Sequence, residues 1–461
     1  MGDNRRQPLG PALCRTLWNF SCRRRLSIAA SRALALAILL IGVAPLPAHA
    51  QFDWSKVFGD NGSSQRAEPR AREPSAALAP LNDLRPDATP MRSDAMLGAI
   101  NGAIERYAQI EQRGGWPAIA GSRMIRPGDD DDRVPVARKR LNMTGDLRGG
   151  GATGFNFDGE LEAAVRRFQE RLGLRVSGRI DAPTIQAMNV PVQARIAQLK
   201  LNYQRVDELI GQRVEDRYVM VNVPGFQLEA VFQNVVELRH RVIAGKPTRQ
   251  TPQVKAQIRA LNFFPYWRVP DSVATLDLIP RLRKEPEYLQ KEQIRVLTGA
   301  FNGPEIASGS IDWNTADAAH IKFRQDPGPQ NALGLVRLDM PNEHGVYMHD
   351  TPMKPLFGQR ARDFSAGCVR VQDVFALAAW VGRDEPGLDR KRIDEILAGG
   401  NAVDIVLKQP LPVYFAYVTA WVEQNGLVVF RPDIYGRDGA RELAGERDPD
   451  APPPQTQALA P

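Results

Sequence analysis

Hydrophobic positions change their period once along the chain. From about residue 96 to 216 they repeat every three to four residues, and beyond it they mostly alternate, which predicts a helical part followed by a strand-rich part. Ile100, Ile104, Tyr107 and Ile110 share one face of a helix in a scaffold segment at 96–130, and Gly114-Gly115-Trp116-Pro117 ends that helix. Residues 131–190 predict a small helical module. Val134, Val136 and Leu141 lie in its first helix, and a glycine-rich insert follows at 148–154. Asp158 stands where it can cap a second helix, whose Leu161, Val165, Phe168 and Leu172 share a face. Asp181 can cap a third, with Pro183 in its first turn. Ile196, Leu199, Tyr203, Val206 and Ile210 make 191–216 an amphipathic connector helix.

From Arg217 the pattern is that of strands. Tyr218 to Val223 alternates, Gln227 to Phe232 follows Pro224-Gly225, and Val235 to Ile243 and Ala256 to Phe264 continue the series. Residues 271–315 interrupt it with a charged stretch (IPRLRKEPEYLQKEQIRVL) that predicts a helical insert, placed where a lid over a site would be. Strands resume at Ile321–Arg324 and Val336–Leu338. A helix carries Val374, Leu377, Ala378 and Val381, and Val413–Val418 and Gly426–Phe430 close the domain. The expected fold class is α+β multidomain: a β-rich, sandwich-like domain over 217–440 with a helical capping insert, preceded by a small helical module.

The two ends change how charge and cysteine content are read. Residues 1–32 carry seven arginines against Asp3, the apolar run Ala33–Leu46 follows, and Pro47-Ala48-His49-Ala50 is a small-x-small cleavage pattern. That is the layout of a signal peptide over 1–50, and its apolar run is short of the roughly 20 residues a membrane span needs. An uncleaved signal anchor is the competing reading. Cleavage after Ala50 takes the net charge from +7 to +1, so the basic balance is a targeting charge and offers no support for nucleic-acid binding. Residues 51–95 are rich in Pro, Ala, Arg, Ser and Asp without a period and read as a disordered linker; 441–461 reads as a disordered tail.

Cleavage also removes Cys14 and Cys22 and leaves Cys368 as the one cysteine of an exported chain, which marks it as a candidate nucleophile. Cys368 sits in Ser365-Ala366-Gly367-Cys368-Val369-Arg370, nineteen residues after His349. Acyl transfer needs a nucleophile, a base and donors for an oxyanion. Cys368 supplies the thiol, and His349, at the end of the run Val346-Tyr347-Met348, supplies the base; a nearby imidazole is expected to depress the thiol pKa. Gly367 frees the backbone for close approach, and Ser365 and Gly367 support an oxyanion loop formed with the Cys368 amide. Arg370 falls on the same side as Cys368 if that stretch is extended, where it can meet a substrate carboxylate. His344 and Tyr347 complete the candidate substrate contacts, His344 with a plain surface reading beside it. A zinc site from His344, His349 and Cys368 is conceivable by residue type, but no further His or Cys lies nearby, and no metal is expected. His240 and His320 read as ordinary residues.

His349-Asp350-Thr351-Pro352 followed by Ser365-Ala366-Gly367-Cys368-Val369-Arg370 resembles the signature of the L,D-transpeptidase catalytic domain. Phe264–Pro270, Arg324–Gly334 and Tyr417–Trp421 resemble its larger, capped members, and AVRRFQERLGLRVSGRIDAPTIQAMN resembles the peptidoglycan-binding-like three-helix module, with Ser177 where an acidic residue is usual. The resemblance implies a cofactor-free enzyme of the periplasm. Cys368 would take a peptidoglycan stem peptide as a thioester, His349 would serve as the base, and an amine of a second stem would complete a 3→3 cross-link. It also implies acylation by carbapenems, and leaves room for other wall synthases as partners. Water as acceptor would make the chain an L,D-carboxypeptidase, and a protein lysine would make it an anchoring or detaching enzyme. The remaining reading is a non-catalytic wall-binding protein.

Overall fold

The computed structural model describes residues 89–149, 154–211 and 215–439. The expected signal peptide, the linker up to residue 88 and the 441–461 tail lie outside the described residues. Among the described residues no helix is long and apolar enough to cross a membrane.

Among the described residues five helices come first: α1 (Asp94–Gln112), α2 (Val134–Met143), α3 (Gly159–Arg171), α4 (Ala182–Asn189) and α5 (Val192–Ile210). Asp158 accepts a hydrogen bond from Leu161 N–H at the start of α3, and Asp181 accepts one from Thr184 N–H at the start of α4, so both caps form. Leu161, Val165 and Phe168 are fully buried. Residues 91–93, expected to be linker, are buried instead, and Asp94 and Ala95 already belong to α1. Ser93 caps α1, Met91 is buried, and the Arg92 guanidinium sits 4.4 Å from the Tyr414 ring centroid and pairs with Glu215. A polar composition hides this, because one buried arginine with a carboxylate and an aromatic face anchors the whole segment.

The strands β1 (Arg217–Asn222), β2 (Gln227–Phe232), β3 (Val235–Gly245), β4 (Val254–Phe263) and β5 (Trp267–Arg268) follow. Next come α6 (Asp271–Val273), a π-helical turn (Ala274–Leu278), α7 (Ile279–Leu282), α8 (Tyr288–Lys291), β6 (Ile294–Thr298), β7 (Glu305–Ile306) and β8 (Ile321–Gln325). The described residues end with β9 (Val336–Asp339), β10 (Met348–His349), β11 (Asp363–Ser365), β12 (Val369–Val371), α9 (Val374–Val381), α10 (Arg390–Gly399), β13 (Val403–Ala416), β14 (Ala420–Val422) and β15 (Val428–Phe430).

The main sheet has nine strands in the order β11-β3-β12-β10-β9-β4-β13-β1-β2, and β2 also pairs with β3, so the pairing runs round a closed circuit. Alternation assigns its two faces. Val219, Val221, Val413, Phe415, Val369 and Met348 belong to a core shared with α9 and α10. Tyr218, Met220, Val231 and Tyr414 point the other way, into a core shared with the helices and with β14 and β15.

The capping insert departs from expectation. Its helical part is a single continuous run, Asp271–Leu282, made of α6, the π-helical turn and α7, followed beyond Pro286 by the four-residue α8, and its body is a separate four-stranded sheet in the order β5-β8-β6-β7. Ile321–Arg324, expected to rejoin the main sheet, belongs to this cap sheet instead, pairing with β6 and β5. The cap has its own small core around Leu282, Val296 and Phe323.

Candidate active site

β10 and β12 run parallel, with Met348 opposite Val369 and His349 opposite Arg370. Met348, Val369 and Val371 are fully buried on the inner face. Strand alternation therefore turns Tyr347 and His349 on one strand, and Cys368 and Arg370 on the other, to the same outer side. Cys368 directly precedes β12, and Val369 N–H donates to the Tyr347 carbonyl at 3.0 Å, which seats the thiol beside Tyr347. Cys368 is the free cysteine among the described residues.

Ser365 and Gly367 shape the turn in front of the thiol. The Ser365 hydroxyl donates to the Cys368 carbonyl at 2.5 Å and accepts from Gly367 N–H at 3.1 Å. Gly367 has φ +120°, which an L side chain rarely adopts. Its N–H is thus engaged by Ser365, and the Cys368 N–H is the next backbone donor along this turn.

His349 is buried, with Nδ1 2.5 Å from the Asp350 carbonyl oxygen. A carbonyl only accepts, so Nδ1 carries the proton and the neutral ring holds its lone pair on Nε2. Burial, reinforced by the charge of Arg370, pushes the imidazole pKa down to about 3; the Asp350 and Leu333 carbonyls act against it. Asp350 is itself fixed: its buried carboxylate accepts from Leu335 N–H at 3.0 Å and pairs with Lys354. The fit is close, because a Cβ on Gly334 (φ +61°) would lie 2.4 Å from the Asp350 carboxylate.

The thiol does not behave as the sequence implied. Burial pushes the Cys368 thiol up, against the opposing influence of hydrogen bonds from the Tyr347 backbone and hydroxyl and of the charges on Arg370 and Arg337. Burial thus works against the charged form of each group, thiolate and imidazolium alike. Tyr347, whose own hydroxyl is pushed well up by burial, also meets Trp267 of the cap. Its ring lies 5.7 Å from that of His349.

Arg370 is held loosely for a half-buried cation. Its Nη1 lies 3.8 Å from the Met353 sulfur, and its Nε has no hydrogen-bond partner among the described residues. A guanidinium in that state is suited to an incoming carboxylate. His344 is not drawn into the group; it stands on an exposed turn beside Glu343, with Nε2 3.4 Å from Oε1. His240 is buried, with Nδ1 2.8 Å from the Gln372 carbonyl. No cluster of three or more His, Cys, Asp or Glu residues able to hold a metal occurs among the described residues.

Sequence reasoning missed Arg337 and Trp267. Arg337 stacks its guanidinium 5.5 Å from the Tyr347 centroid and bonds Asn262. On an alternating strand its position reads as a solvated face, and only the neighbouring strand shows otherwise. Trp267 lies in the noticed stretch Phe264–Pro270, but nothing local says that a cap residue reaches Tyr347. The cap is tied down a second time where Arg249 donates two hydrogen bonds to the Asp277 carboxylate, one of them at 2.5 Å.

Residues 216–396 match the family model for YkuD, the L,D-transpeptidase catalytic domain, and residues 130–188 match one described as "Putative peptidoglycan binding domain". A curated protein of Haemophilus influenzae named "Putative L,D-transpeptidase" is 33% identical over 227 residues, covering 49% of this chain and 45% of that protein. The chain thus spans about half the length of this relative. Among solved structures, an L,D-transpeptidase from Mycobacterium smegmatis is 12% identical with a TM-score of 0.23 and covers 43% of this chain and 58% of the other. One from Stackebrandtia nassauensis is 12% identical with a TM-score of 0.24 and covers 65% and 96%.

Proposed function

We propose, on the premise that residues 216–396 are a YkuD-type L,D-transpeptidase catalytic domain, that this chain cross-links peptidoglycan stem peptides through a thioester on Cys368. The observation that carries the reading is the pairing of β10 with β12, which turns Cys368 and His349 to one side of the sheet with Arg370 across from the imidazole.

In this mechanism the Cys368 sulfur attacks the carbonyl of the third, diamino-acid residue of a tetrapeptide stem while its proton passes to His349 Nε2. Both groups start neutral, so proton transfer and attack proceed together. The C=O electron pair moves to oxygen, facing the Cys368 N–H. Collapse breaks the C–N bond to the terminal D-alanine, whose nitrogen leaves with the proton from the imidazolium. The amine of a second stem then attacks the thioester, His349 takes its proton, and that proton returns to sulfur as the thiol departs. Arg370 fits a stem carboxylate, and Trp267 and Tyr347 wall the thiol from water. The chemistry needs no cofactor. The module at 130–188 fits a wall-binding role, and the N-terminal pattern fits export to the periplasm.

The test is incubation of residues 51–461 with tetrapeptide-bearing muropeptides, read by mass spectrometry. Cross-linked dimer with loss of D-alanine supports the transpeptidase. D-alanine release without dimer identifies a carboxypeptidase. No product, with Cys368→Ala identical to the unaltered chain, removes the catalytic reading.

A further inference from the structure

The carbonyl of Gly367, which opens the peptide bond into Cys368, is held by a buried threonine outside the signature motif. Thr251 is fully buried, and its Oγ1 lies 2.8 Å from the Gly367 oxygen and 2.8 Å from the Gly245 nitrogen. A hydroxyl has one hydrogen. Because the Gly245 N–H already donates to Oγ1, the threonine's hydrogen goes to the Gly367 carbonyl.

A trans peptide points its C=O and N–H in opposite directions. Pinning the Gly367 oxygen toward Thr251 therefore turns the Cys368 N–H away from the 246–251 loop, and no acceptor among the described residues meets it. The lock matters because Gly367, without a Cβ and at φ +120°, presents little resistance to rotation of this peptide. Thr251 is fixed in turn by Tyr435, whose hydroxyl accepts from Thr251 N–H at 3.1 Å and donates to the Gly245 carbonyl at 2.6 Å. Tyr435 is braced by Tyr417, its ring stacked at 5.5 Å and its N–H donating to the Tyr417 hydroxyl at 2.9 Å. Both tyrosines lie beyond residue 396, where the match to the catalytic-domain family ends.

We propose that Thr251, held by Tyr435, is a positioning residue for acyl transfer: it fixes the Gly367–Cys368 peptide so that the Cys368 N–H stands ready for the oxyanion. The inference rests on the acyl-transfer reading of Cys368. An oxyanion donor that must be reoriented at each turnover loses part of the benefit of preorganisation, and a whole donor is worth about 100- to 1,000-fold in rate.

The experiment compares two reactions of Cys368 in the full chain. Acylation by p-nitrophenyl acetate passes through an oxyanion; alkylation by iodoacetamide displaces iodide and does not. Thr251→Val is expected to slow acylation about 10- to 100-fold while alkylation stays within about 2-fold of the unaltered chain, and Thr251→Ser to restore most of the loss. Tyr435→Phe, which keeps the Thr251 hydroxyl, is expected to slow acylation alone by a smaller factor, and it carries the test if Thr251→Val folds poorly. Equal slowing of both reactions, or of neither, overturns the proposal. An unaltered chain that is alkylated at Cys368 but never acylated overturns the acyl-transfer reading itself, and the proposal with it.

Discussion

Arg370 stands directly across the parallel ladder from His349, and its charge adds to burial in keeping the imidazole unprotonated. A cation opposite the base makes a resting thiolate–imidazolium pair unfavourable here, and the consequences can be measured.

Thiol reactivity with pH is the first. With the thiol raised and the imidazole at about 3, iodoacetamide alkylation of Cys368 should climb in one step above the ordinary thiol range. A plateau of reactive thiolate between about pH 5 and 7, as an ion pair produces, would show that the two groups exchange their proton at rest.

Acid stability follows from the same histidine. Its folded pKa lies below the ordinary 6.5, so the unfolded chain binds the extra proton first. The stabilisation is complete above about pH 6.5 and is lost progressively as pH falls toward 3. Thermal melts should show this loss, and Arg370→Met should shift it to lower pH-sensitivity by raising the imidazole pKa. Identical pH profiles for the unaltered chain and His349→Gln would count against a buried neutral imidazole.

The cap latch can be cut at Asp277. Asp277→Ala removes the partner of Arg249 and leaves the fold of the main sheet alone. Because the carboxylate is partly exposed, the pair is worth about 1 kcal/mol or less, or a factor of up to about 5 in cap opening. The expected result is a higher ratio of hydrolysis to cross-linking, read as tetrapeptide loss without dimer. An unchanged ratio would mean that the cap does not control water access.

Gly334→Ala tests how closely the base is supported. The new methyl meets the Asp350 side chain in a backbone region costing about 1–3 kcal/mol for a non-glycine residue, before any clash is counted. Displacing Asp350 moves the carbonyl that orients His349. A lower melting temperature together with acylation slowed roughly tenfold is expected; a lower melting temperature with full activity would separate Asp350 from the base.

Much of this was legible beforehand for local reasons. The helix caps Asp158 and Asp181, the alternation of Tyr218–Val223 and the close spacing of His349 and Cys368 are short-range signals, and the structure carries each of them. What stayed hidden depends on distant pairing. Thr251 reaches Gly367 across 116 residues and Tyr435 reaches Gly245 across 190, and no periodicity marks either. The upward push on the thiol is not legible in the sequence, because the burial behind it arises only when β10 and β12 pair. Of the cap's strands, β8 was legible as a strand, whereas β6 was obscured by charge, since Arg295 occupies its outward phase and makes it resemble helix surface.

The outer face of the main sheet has one further consequence. Tyr218, Met220, Val231 and Tyr414 are covered by the same apolar cluster that holds α1, α3 and α5, so the catalytic half has no finished surface of its own on that side. A shortened chain beginning at β1 would present those side chains to water as an adhesive patch. The helical half thus serves as the cover of that face, and a fragment of the strand-rich half is expected to need it to stay in solution.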